Sequence, residues 1–168
     1  MKKLLAGILA AITLISLQIP AFAAETKAAE AEPAYTIIVG GQSLDLGDLP
    51  CAPYWEGDTL MVPLRKIAEA LGYQVDWDPE TGAVTVEDAY VQKAVLFDGT
   101  EQVVFEGKLQ IINMDREVSA AAKTVIHSGY TYVPLEFFQE FINDTAVDGT
   151  VITVAPSMCE LTGQKAAG

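Results

Sequence analysis

Thr59-Leu60-Met61-Val62-Pro63-Leu64-Arg65 is a phrase the chain states twice, returning as Thr131-Tyr132-Val133-Pro134-Leu135-Glu136. Each copy follows a glycine, Gly57 or Gly129, and runs from β-prone residues into a proline. Proline can open a helix, because its fixed φ suits the first turn and its missing N–H has no intrahelical partner there. After Pro63, Leu64, Ile67, Ala68 and Leu71 fall at i, i+3, i+4 and i+7, an apolar stripe on a short helix. Gly72 is placed to end that helix in the left-handed region. After Pro134, Leu135, Phe138, Phe141 and Ile142 form the second stripe, and Asn143 takes the place of Gly72. The duplication predicts an α+β domain of two pseudo-repeats. Each would be an antiparallel β-sheet packed on one short α-helix, since neither element buries its apolar face alone.

The flanking residues supply the strands. Tyr54-Trp55 and Thr59–Val62 read as a hairpin about Glu56-Gly57-Asp58. Thr124–Ile126 and Thr131–Val133 repeat it about His127–Tyr130. Gln74–Trp77 and Ala83–Val86 flank the turn-rich Asp78-Pro79-Glu80-Thr81-Gly82, and Val84 and Val86 alternate with polar neighbours as in a sheet with one wet face. Val91–Phe97 and Gln102–Phe105 form another pair around Asp98-Gly99. A further short strand is expected within Gly107–Asp115. Tyr35–Val39 opens the domain and Val151–Val154 closes it. Trp77 is assigned to the core.

The ends have other compositions. Lys2 and Lys3 precede an apolar run from Leu4 to Ile19, followed by Pro20 and the small-residue motif Ala21-Phe22-Ala23. This is the pattern of an export signal over residues 1–23, with a mature start at Ala24. Residues 24–34 read as a flexible acidic tether, 35–156 as the folded domain and 157–168 as a tail. The full chain of 168 residues has net charge −13, and loss of the two signal lysines takes it to −15. So acidic a chain is repelled by nucleic acid and by anionic lipid or anionic wall polymers. The expected protein is therefore secreted or attached to the cell surface, binds no nucleic acid and has no membrane contact after signal cleavage.

In an oxidising compartment Cys51 and Cys159 are candidates for one disulfide joining the front of the domain to its end. Two free thiols, or a bond to another chain, remain the alternatives.

With these elements in place, the sequence resembles the copper amine oxidase N-terminal domain family, the stalk domain. The resemblance rests on Thr59–Arg65, Glu69-Ala70-Leu71-Gly72, Val75-Asp76-Trp77-Asp78, Val84-Thr85-Val86 and the second phrase Thr131–Leu135. It spans about residues 35–155. The second copy departs from it: Glu136 stands where arginine is common, Phe141-Ile142-Asn143 replaces Ala-Leu-Gly, and Val-x-Trp-Asp is missing. The resemblance implies a peripheral, non-catalytic domain of secreted bacterial proteins. The copper and quinone of the oxidases belong to a catalytic domain this chain lacks, so no cofactor is implied.

The residues themselves offer little chemistry. Copper and zinc sites use His and Cys, and the single histidine, His127, reads as a surface turn residue. Asp76, Asp78, Glu80 and Glu87 follow calcium-loop spacing, but Pro79 interrupts the loop and Gly82 is one place late, so a solvated hairpin is the reading. No nucleophile–base set is evident. The candidate binding surface is aromatic: Tyr54 and Trp55 beside the first hairpin turn, Tyr130 and Tyr132 beside the second. The expected function is a non-catalytic structural or binding domain contacting a cell-wall component or another exported protein. The alternatives are a small carboxylate-dependent hydrolase and a spacer with no ligand. A hydrolase would need a concave site holding a carboxyl of raised pKa.

Overall fold

The computed structural model describes residues 34–109 and 113–157. The segments read from the sequence as an export signal, as a tether (except Ala34) and as a tail (except Ser157) lie outside that range, as does Cys159. In chain order the elements are β1 (Thr36–Val39), β2 (Gln42–Ser43), β3 (Tyr54–Glu56), β4 (Thr59–Pro63), α1 (Leu64–Ala70) and β5 (Gln74–Trp77). There follow β6 (Ala83–Glu87), β7 (Gln92–Phe97), β8 (Gln102–Gly107), β9 (Arg116–Ser119), β10 (Val125–His127) and β11 (Tyr130–Pro134). A 3-10 helix (Leu135–Phe141), β12 (Asn143–Asp148) and β13 (Val151–Pro156) complete the described chain. It is an α+β arrangement dominated by antiparallel sheet. Of the segment 107–115, expected to hold a short strand, residues 110–112 lie outside the described range, and the next described strand after β8 is β9.

The repeated phrases are neighbours. β4 and β11 pair antiparallel, with Pro63 opposite Tyr132, Val62 opposite Val133 and Met61 opposite Pro134. Val62 and Val133 hold the same place in their phrases, so a local two-fold runs between them. The hairpins obey it: Tyr54 faces Met61 as Val125 faces Tyr132, and Glu56 faces Thr59 as His127 faces Tyr130. The two copies therefore share one four-stranded sheet, ordered β10-β11-β4-β3, where the sequence pattern suggested a sheet for each. The physical reason lies in β4, whose five residues are all buried. A strand buried on both faces needs hydrogen-bond partners along both edges, and one hairpin supplies only one.

The other sheets wrap this centre. β5-β6-β7-β8-β9 is an antiparallel meander whose inner face carries Val84, Val86, Ala94, Leu96, Val103 and Phe105, all buried. The third sheet, β12-β13-β1-β2, joins the two ends of the domain, with β1 parallel to β13. One apolar cluster unites residues from all three sheets and both helices. A smaller one, Met61, Ala122 and Tyr132 with Cys51, Tyr54, Val125 and Tyr130 packed on it, covers the opposite face of the shared sheet.

The second helix differs from the first. Leu135, Phe138 and Phe141 recur every third residue, which matches the three-residue turn of a 3-10 helix, and all are buried. The tighter coil ends one residue early. The left-handed residue is thus Ile142, with φ 58 and ψ 48, in place of the expected Asn143, whereas the first copy has Gly72 at φ 86. Asn143 already belongs to β12, and its amide donates to the carbonyls of Phe138 at 3.0 Å and Phe141 at 3.2 Å. The end of this helix is also tied to the meander. Gln92 Nε2 and Arg116 both donate to the Glu140 carbonyl, and Arg116 pairs with the Glu140 carboxylate while lying 4.1 Å from the centre of the Phe105 ring.

A β-branched side chain is strained in the left-handed region. Ile142 is also 62% exposed, so it gains little burial in return. Ile142→Gly is expected to raise stability by about 1 kcal/mol. Thermal melts of the two proteins check this, and an unchanged or lower midpoint would count against the strain.

Candidate binding groove

A concavity of about 690 Å³ lies between α1, the β5 end of the meander and the turn of the second hairpin. α1 turns Arg65, Lys66 and Glu69 toward it while Leu64, Ile67 and Ala68 face the core. The meander contributes Val75, Trp77 and Val84, the hairpin contributes Ile126, Tyr130 and Thr131, and Asp48 reaches in from the loop before β3. Trp77 shares the inner face with Val75, but α1 is only seven residues long and does not cover it. The indole is left 57% exposed, which corrects its assignment to the core.

The rim charges are matched in pairs. Arg65 donates to Glu69 Oε1 at 3.2 Å and to the Val75 carbonyl at 2.6 Å. Lys66 Nζ lies 2.7 Å from Asp48 Oδ1. The Lys66 hydrogen bond holds the Asp48 carboxyl below its ordinary range, and Asp48 in turn raises Lys66. A smaller groove of about 290 Å³ is lined by Pro134, Glu136, Phe137 and Glu140. These occupy the places of Pro63, Arg65, Lys66 and Glu69, so the same helix face is hollowed in both copies and the cations appear only in the first.

The four aromatics singled out from the sequence separate. Trp55 is 52% exposed, and its indole N–H donates to the Tyr35 hydroxyl at 2.9 Å. Tyr130 is half-buried and lines the large groove. Tyr54 is half-buried against Tyr132, with ring centres 5.8 Å apart. Tyr132 is fully buried and is no part of a binding surface. Its position in β11 points it into the smaller apolar cluster, where its hydroxyl donates to the Cys51 carbonyl at 2.7 Å. Cys51 is half-buried with no disulfide partner among the described residues, and its proposed partner Cys159 lies outside them. His127 is exposed at the end of β10. Asp78 accepts bonds from the Glu80 N–H and the Thr81 hydroxyl, which lower its pKa and close the β5–β6 hairpin. Among the described residues no group of three or more His, Cys, Asp or Glu is arranged to hold a metal ion.

Burial raises the phenols of Tyr132, Tyr54 and Tyr73 above their ordinary value of 10.0. A phenol raised in the folded state contributes stability in full below the unfolded value, and that contribution is lost as pH rises through the folded value. Urea midpoints are therefore expected to fall above about pH 10. In Tyr132→Phe the fall should be shallower. Equal slopes for the two proteins would show that Tyr132 does not drive it.

These features define a small α+β domain built on a duplicated hairpin–helix phrase, with an open groove on the helix of the first copy. The family model for the copper amine oxidase N-terminal domain matches residues 38–154, and the chain belongs to that family. In copper amine oxidases this domain is non-catalytic. One curated relative, a protein of Brevibacillus choshinensis named "Protease inhibitor", is 34% identical over 97 residues, which cover 57% of this chain and 27% of that protein. The matched part is thus about a quarter of the relative's length. No solved structure matches the chain.

Proposed function

We propose that this chain is an exported, non-catalytic binding domain of the cell envelope, made of two pseudo-repeats that share a sheet, and that its ligand lies in the Trp77–Tyr130 groove. The ligand is a cell-wall component or a segment of another exported protein. The observation that carries the reading is Trp77, a large aromatic left 57% exposed beside an apolar hollow. Exposed indoles at such places supply much of the binding energy of interfaces. The groove's two carboxylates support binding over hydrolysis: Asp48 and Glu69 are each held by a cation, and the shift at Asp48 is downward, opposite to what a general acid requires. The basic, apolar start of the chain supports export.

Co-sedimentation with purified cell walls, together with pull-down of exported proteins, tests the groove. The wild-type chain should bind one of these fractions, and Trp77→Ala should weaken that binding by at least about 10-fold. Binding that Trp77→Ala leaves unchanged, or no binding to either fraction, would remove the groove as the site.

The relative named as a protease inhibitor favours a second reading, in which the exported partner is a protease. Added chain would then lower proteolysis in the spent medium of its source, and Trp77→Ala would not. Unaltered proteolysis would discard this reading and leave the first intact.

A further inference from the structure

The edge of β5 borders the groove and carries a free hydrogen-bonding ladder. β5 is the terminal strand of the meander and pairs only with β6. Asp78 N–H donates to the Ala83 carbonyl, so 78 and 83 are a hydrogen-bonded pair. In an antiparallel ladder such pairs alternate with non-bonded ones, which makes Asp76 opposite Thr85 a bonded pair and Val75 and Trp77 the residues whose N–H and C=O face outward. The Arg65 guanidinium on the Val75 carbonyl agrees, since it can reach only an outward oxygen. Among the described residues no protein group bonds the N–H of Val75 or the N–H and C=O of Trp77. The outward groups at 75 and 77 keep the two-residue spacing of an adjoining strand.

Charge around this edge has one sign left unmatched. Arg65 and Lys66 are neutralised by Glu69 and Asp48. Asp76, Asp78 and Glu80, on β5 and its turn, have no lysine or arginine partner among the described residues. An occupant that meets this edge must offer an extended backbone, apolar side chains for the hollow and positive charge for the flank.

We infer that β5 is a strand-addition site for an extended, basic segment of another polypeptide, whose alternate side chains enter the Trp77–Tyr130 groove. The inference rests on the groove reading above and selects a protein partner over a wall polymer. Added strands gain affinity from main-chain bonds and specificity from pockets that take every second side chain. Arg65 caps the edge when it is free. It is half-exposed and shared with Glu69, so an incoming N–H can replace it at the Val75 carbonyl.

A library of random heptapeptides selected against the intact exported chain tests this. Enriched peptides should carry lysine or arginine and alternate apolar residues, and their affinity should fall with added salt. Trp77→Ala should weaken them at least about 10-fold, and Asp76→Lys, on the exposed outer face, should weaken them by a comparable factor. N-methylation of alternate peptide amides should abolish binding in one phase and spare it in the other. Binding that tolerates N-methylation in both phases, yet is lost in Trp77→Ala, would overturn strand addition while keeping the groove. Enriched peptides insensitive to Trp77→Ala would overturn both. Failure to enrich any peptide would overturn strand addition and leave the groove to the co-sedimentation result.

Discussion

Phe138→Ala is expected to destabilise the domain by about 3–5 kcal/mol, the cost of emptying a well-packed aromatic site. Phe138 is fully buried on the 3-10 helix and packs edge-on to Phe137 at 5.4 Å. That helix has little stability of its own, because short 3-10 segments form poor hydrogen bonds. Its hold on the domain comes from Leu135, Phe137, Phe138 and Phe141, all buried in the core shared by the three sheets. Phe138→Ile, which installs the residue that the first copy has at Ile67, should cost only about 1 kcal/mol. Chemical denaturation of the three proteins distinguishes these values. A Phe138→Ala loss no larger than that of Phe138→Ile would mean that the surroundings collapse into the space.

The second large effect is polar. Asn143→Ala is expected to cost about 1–3 kcal/mol, because it removes the buried amide that donates to two helix-end carbonyls and the Tyr73 hydroxyl, leaving Phe138 only the Ile142 N–H and Phe141 only the longer bond from Tyr73. Asn143 is 3% exposed, so water cannot readily replace its amide at Phe138 and Phe141. Its side chain also bonds the Tyr73 hydroxyl at 3.0 Å, which joins the segment after α1 to the end of the second helix. Tyr73→Phe, which removes only that hydroxyl, should cost about 1 kcal/mol. Equal losses in the two variants would show that the carbonyl cap contributes nothing.

Much of the fold follows from local pattern. A helix starts at Leu64, directly after Pro63, which itself ends β4 with extended backbone and does not enter the first turn; Gly72 and Gly57 take the positive φ their turns require, and Val84 and Val86 point inward as their alternation predicts. The rest depends on neighbours distant in sequence. β12, Asn143-Asp144-Thr145-Ala146-Val147-Asp148, buries only Asn143 and so shows no apolar alternation. The parallel pairing of β1 with β13 leaves no mark in either segment. The threefold spacing of Leu135, Phe138 and Phe141 was visible, and the fourth residue of the stripe, Ile142, made it look α-helical. Two aromatics, Tyr132 and Trp77, lie elsewhere than the strand pattern suggests, for a related reason. Strand alternation tells which residues share a face, and only the packing of helix and sheet tells which face is covered. Tyr132 lies under the smaller cluster, and Trp77 lies past the end of a short helix. The groove was therefore half legible: Tyr130 was among the candidates, while Trp77, Arg65 and the β5 edge emerged only from the assembled sheets.

The parallel pairing of β1 and β13 sets how this domain meets a pull on its ends. Tension entering at Thr36 and leaving at Pro156 draws the two strands past each other along their length. The ladder from Thr36 beside Val151 to Val39 beside Val154 is then loaded all at once, together with the flanking bonds from Thr36 N–H to the Thr150 carbonyl and from Gly40 N–H to the Val154 carbonyl. A hairpin pulled at its open end would break bond by bond. This geometry is a shear clamp, and it makes forced unfolding a matter of one high barrier whose crossing rate sets the lifetime under load.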